Sequence, residues 1–186
     1  MSDPLPFATP QDWSDWLTNH PEATEVWLLH HKKSSGVPSI TWEQAVIEAL
    51  AHGWIDGVKK SVSETQWMQR FTPRKAGSAW SLKNIGHAEK LMADGRMTQA
   101  GLAHVQAAKA NGRWETAYSG GKGADLPQDF LDAVALNPQA QLALETLNTK
   151  IRYAICWHLT TAKCPETRAK KVTEFVALLA GKARIY

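Results

Sequence analysis

Between Asp56 and Asn84 the chain sets Asp56, Lys59, Lys60, Arg70, Arg74 and Lys75 among Trp67, Trp80, Ser81 and Asn84. Cations, flat rings and hydrogen-bond donors gathered in one span suit an anionic or aromatic ligand. The candidate ligand-binding residues are therefore Asp56, Lys59, Arg70, Arg74, Trp80, Ser81 and Asn84. Ser81 and Asn84 fall at the cap and third positions of a helix, whose free N–H groups can meet a phosphate or carboxylate. Plainer uses compete: Ser81 caps its own helix, and the cations guard a sheet face against edge pairing.

Catalysis needs a poised base or nucleophile. Asp56 near Lys59 is the one pair of that kind, with the acid as base and the lysine as anchor for an oxyanion. A salt-paired aspartate has a lowered pKa and makes a poor base near neutrality. The local alternative is an aspartate bonded to nearby backbone. No catalytic residue is assigned, and a non-catalytic role is expected.

No metal and no cofactor are expected either. His30 and His31 are strand neighbours pointing to opposite faces, and Cys156 and His158 stand too far round a helix to share an ion. His52 suits a helix C-cap. The cysteines Cys156 and Cys164 have seven residues between them, a spacing that fits no zinc pattern and gives weak grounds for a disulfide. "GGKG" at 120–123 fails as a phosphate loop, because Thr116 stands where the first glycine belongs and Gly123 where Ser or Thr does.

The elements that must position these residues follow from local pattern. "TPQDWSDWLTNHP" reads as a helix capped by Thr9, with Pro10 in its first turn and Trp13, Trp16 and Leu17 on one face. "EVWLLHHKK" is a strand closed by "SSGVPS". "ITWEQAVIEALAHG" carries a capping box at Thr41 and Gln44 and stops at Gly53. "WIDGVKKSV" and "TQWMQRFTPR" form a hairpin turning at Ser63 and Glu64. A bulge in which Asp56 and Gly57 oppose one partner residue would turn Ile55 and Val58 inward and Asp56 and Lys59 outward, where the lysine neutralises the acid. Arg70 and Arg74 share a face with Met68 and Thr72, and a common groove needs that face to be the one Asp56 and Lys59 occupy.

From Trp80 onward the pattern is helical. Leu82, Ile85 and Met92 fit one face, Leu102 and Val105 another, Pro127 and Pro138 open helices, and Pro165 separates two more. In the last, Val172, Phe175, Val176 and Leu179 make the buried stripe. The expected fold is α+β: a small antiparallel sheet backed by helices, with a helical C-terminal half. One domain is expected over 1–186, its mixed part at 1–95 and its helical part at 96–186, with a connector near 118–126.

The 44% hydrophobic content and nine tryptophans exclude a disordered chain. No apolar run of about 18 residues exists to span a bilayer, and "MSDPLPFATP" has no signal-peptide pattern, so a cytoplasmic protein is expected. Residues 1–31 carry five acids and no Lys or Arg, whereas 150–186 carry eight basic residues and two acids. Such poles could steer an anionic partner, although "AKCPETRAKK" is also explained as a solvated helix start.

"FATPQDWSDWL", "GWIDGVKK", "QRFTPRKAGSAWSLKN" and "TAKCPETRAKKVTEFVALL" together resemble the YdeI or OmpD-associated bacterial family, labelled bacteriocin protection, over nearly the whole chain. The resemblance implies an α+β fold and a link to envelope stress or resistance to antimicrobial peptides. It implies no catalytic residues. The expected function is a non-catalytic binding or stress-protection protein that recognises an anionic small molecule or a partner protein. An enzyme acting on an anionic substrate and a nucleic-acid-binding module are the alternatives; the mild pI of 8.9 ranks nucleic acid below the others.

Overall fold

Two capping boxes start the first two helices. Thr9 accepts from the Asp12 N–H while the Asp12 carboxylate accepts from the Thr9 N–H, launching α1 (Pro10–Asn19) with Pro10 where its missing N–H costs nothing. Thr41 and Gln44 repeat the arrangement for α2 (Trp42–Ala51). The computed structural model describes residues 3–118, 126–162 and 164–181. Most of the expected connector, with its "GGKG", lies outside the described residues.

Four strands form one sheet in the order β1-β2-β4-β3: β1 (Leu5–Pro6), β2 (Val26–His31), β3 (Trp54–Ser61) and β4 (Gln66–Pro73). The expected hairpin is β3–β4, and β2 is antiparallel to β4. β1 adds a parallel edge, Leu5 opposite Leu28, so the sheet is mixed. Two residues carry no periodicity from which such a strand could be read.

Residues directly opposite across a ladder point to the same side. Val26, Phe71 and Asp56 thus share one side with Leu28, Gln69 and Lys59, while Trp27, Arg70, Met68, Lys60, Ile55 and Thr72 share the other. Helices α1 and α2 cover the first side. Trp13, fully buried, lies 5.6 Å from Phe71 and 6.4 Å from Trp54, ring centre to ring centre, both edge-on, and its indole N–H donates to the Ala45 carbonyl at 3.1 Å. This aromatic knot is the centre of the N-terminal core.

α3 (Leu82–Ala93) and α4 (Gln99–Ala110) follow. In α3 the inward face is Ile85, Ala88 and Leu91; Leu82, expected inward, is 55% exposed, since each step of three residues falls about 60° short of a turn and three such steps carry it half a turn round from Leu91. The chain divides into two compact units, Met1–Ser78 with Asn84–Glu115, and Ala79–Lys83 with Thr116–Tyr186. Among the described residues no helix is long and apolar enough to cross a membrane.

The second unit holds α5 (Gln128–Ala135), α6 (Pro138–Glu145), α7 (Thr149–Thr160) and α8 (Pro165–Leu179), so the fold is α+β with a helical C-terminal half. Asn137 and Asn148 cap α6 and α7. Phe130, Val134, Ile155, Cys156, Leu159 and Leu179 are its buried core, with Val172, Phe175 and Val176 of α8 packed against it. Arg168 ties three helices: Nε and Nη2 each donate to the Asp129 carboxylate at 2.8 Å, and Nη1 donates to the Leu159 carbonyl at 2.5 Å.

Arg168→Ala is expected to cost about 1–2 kcal/mol in urea unfolding, a modest figure because the pair is partly exposed and screened. The Arg168 guanidinium holds the Asp129 carboxyl below its ordinary 3.8. A lowered folded pKa makes this stabilisation complete above pH 3.8 and lost as pH falls through the folded value. That acid-sensitive component is expected to disappear in Arg168→Ala.

Candidate functional site

The hairpin is positioned from both ends. Gly53 closes α2 with φ +76°, a left-handed conformation that a side chain resists, and sends the chain directly into β3. The Gly53 carbonyl then accepts from the Arg74 N–H at 2.8 Å, locking the start of β3 to the end of β4. At the turn, the N–H groups of Val62 and Ser63 both donate to the Gln66 carbonyl at 3.1 Å.

Asp56 lies on the helix-covered side. Its Oδ2 accepts from the Trp42 indole at 3.1 Å and from the Gln69 amide at 3.4 Å, and Gln69 also donates to the Gly57 carbonyl at 2.6 Å. Burial raises the Asp56 carboxyl above its ordinary value, opposed by the Trp42 bond and by the charge of Arg74. The expectation of a lysine-paired aspartate with a lowered pKa is overturned. Lys59 turns its ammonium to the Trp67 ring instead, 4.0 Å from the centroid.

Trp67 is the middle of a stack, with Lys59 packed against the same ring that stacks on His30, centroids 4.0 Å apart and planes 8° apart. His30 is 1% exposed, and its Nδ1 meets the Ile40 carbonyl at 3.1 Å, which makes Nδ1 the donor. Burial first, and Lys59 after it, push the His30 pKa down, so the imidazole is neutral at pH 7. Asp56, Gln69, Lys59 and Trp67 thus form one row along the hairpin.

Arg70 belongs to the other side. It shares that side with Met68 and Thr72 as expected, but its Nε donates to Glu25 at 2.9 Å and Nη2 at 2.5 Å, and Lys60 lies 4.8 Å over the Trp27 ring there. Asp56 and Lys59 do not share its face, so the single groove expected from the sequence does not form. The register explains this. Asp56 pairs with Phe71 and Lys59 with Gln69, the two neighbours of Arg70 on β4, so their side chains point away from its side. The bulge falls at Gly57 and Val58, one residue later than expected, and Val58 stands 55% exposed rather than inward.

Arg74 is 4% exposed, and its charge acts on both Asp56 and His104. Asn84 is partly buried in the first turn of α3. Trp80 and Ser81 belong to the second unit, 3% and 7% exposed, where Ser81 pairs with Tyr118. Sequence reasoning missed Trp42, Gln69, Glu25 and His30 as partners. Alternation outward from Phe71 gives Gln69 and Trp67 a common face, but Trp42 and Glu25 reach the hairpin only through tertiary contact.

A family model described as Domain of unknown function (DUF8412) matches residues 5–104, just over half of the chain. A second, described as Bacteriocin-protection, YdeI or OmpD-Associated, matches residues 124–181. The last of the four motifs resembling that family falls in its span; the other three fall in the span of the first model. No curated protein and no solved structure matches.

Proposed function

The chain belongs to the family described as Domain of unknown function (DUF8412), and from that premise we propose a non-catalytic binding protein of the stress-protection type that recognises an anionic small molecule. The bacteriocin-protection match over residues 124–181 supports the protective setting. One observation carries the ligand class: Lys59 is exposed, held over Trp67, and among the described residues has no carboxylate within 4.0 Å. Its charge is therefore available, and its stem is already ordered, which lowers the entropy lost on binding.

The charge of Arg74, which acts on Asp56, adds positive potential behind the same row. Arg70, satisfied by Glu25 on the opposite side, serves such a ligand only if it wraps the sheet.

Thermal-shift screening against anionic metabolites tests this, because a specific ligand raises the melting temperature of the folded state alone. Lys59→Ala is expected to weaken the best hit about tenfold, the loss of one charge-assisted contact, with Arg70→Ala near neutral. A library without a single shifting compound would sink the reading. Salt-dependent capture of single-stranded RNA, lost in Lys59→Ala, would replace it with the nucleic-acid alternative.

A further inference from the structure

The sheet ends at β3, whose outer edge carries no strand among the described residues. Gly57, Val58, Lys59, Lys60 and Ser61 are all exposed, with Val58 at 55% and Val62 at 48%. Along an antiparallel strand, successive residues turn their N–H and C=O alternately to the two edges. Val62 donates inward to Gln66, so Lys60 also bonds inward while Lys59 and Ser61 turn their backbone groups outward.

Lysines and a bulge are devices that blunt exposed edges. Here both lysines are folded back. Lys59 lies over Trp67 on the adjacent strand and Lys60 over Trp27 on β2, two strands in, so neither side chain extends past the outer edge. Among the described residues the edge backbone is left open, with one positive charge above each face of the sheet and no carboxylate within 4.0 Å of either.

We propose that the outer edge of β3 from Lys59 to Ser61 takes up an extended acidic segment of a partner protein as a fifth strand. The inference rests on the anion-binding reading for the charge of Lys59 and goes beyond it in naming a peptide and a mode. Backbone bonds to Lys59 and Ser61 give the affinity, and side-chain alternation gives the pattern. Adjacent residues of the added strand face opposite sides of the sheet. Two successive glutamates therefore meet Lys59 and Lys60 in turn, and apolar residues flanking them cover Val58 and Val62.

A synthetic peptide of about eight residues, with two adjacent glutamates flanked by valines, tests this by titration with amide chemical-shift mapping on the full chain. The expected result is binding that perturbs the Lys59 and Ser61 amides and weakens about tenfold or more when alternate peptide nitrogens are methylated. Ser61→Pro removes an outward N–H and no bond to β4, and is expected to weaken the peptide equally while leaving small-anion hits unchanged. Peptide binding indifferent to methylation and to Ser61→Pro would overturn strand addition and leave a purely electrostatic contact. Small anions binding while the peptide does not would overturn it too and spare the anion site; failure of both removes both readings.

Discussion

Gly101→Ala is expected to lower stability by roughly 3 kcal/mol, although alanine is the better helix former by about 0.5–1 kcal/mol. Gly101 sits in the first turn of α4, where α4 meets the end of α2. Thr98, its N-cap, donates to the Ala51 carbonyl through both its hydroxyl, at 2.7 Å, and its N–H, at 3.0 Å. A Cβ at Gly101 would lie 2.5 Å from the Ala51 oxygen, 2.9 Å from the Leu50 oxygen and 2.4 Å from the Met97 sulfur. The methionine can swing away; the two carbonyls belong to helix backbone and cannot. α4 must therefore shift and give up its bonds to Ala51, a larger cost than propensity returns.

Thermal unfolding reads the sign directly, with a fall of about 10 °C expected for a chain of this size. Gly86→Ala in α3 is the control. A Cβ there meets nothing within 4 Å, and its φ is not left-handed. That substitution should raise stability by about 0.5–1 kcal/mol. If Gly101→Ala also stabilises, the close approach of α4 to α2 is not present in solution.

Trp13→Ala is expected to cost about 3–5 kcal/mol. The side chain is fully buried and touches Phe7, Trp16, Trp54 and Phe71, which come from four different parts of the first unit. Its removal opens a cavity that flat rings cannot collapse to fill, and takes away the ring contacts from α1 to Trp54 and Phe71 of the sheet. Trp13→Phe retains most of the ring contact but loses the indole bond to Ala45, so about 1–2 kcal/mol is expected. Urea unfolding followed by circular dichroism measures both. A cost for Trp13→Ala below about 1 kcal/mol would place this residue outside the core.

What the sequence determined by itself was local. The cap at Thr9, the capping box at Thr41, the stop at Gly53, the β3–β4 hairpin and the helix start at Pro138 each depend on interactions within a few residues, and all stand where their residue types put them. The α+β class follows from the same patterns. The N-terminal core was also legible in part, since Trp13 and Leu17 lie one helical turn apart and both are buried.

Tertiary structure decided which way the candidate residues face. The register that sets Asp56 opposite Phe71 turns it away from Arg70, the next residue along β4, because the side-chain period of a strand is two. The seating of Lys59 on Trp67, and the burial that raises the Asp56 pKa under Trp42, are likewise fixed by neighbours distant in sequence. Charge and hydrogen-bonding capacity belong to a residue; direction and protonation belong to its surroundings.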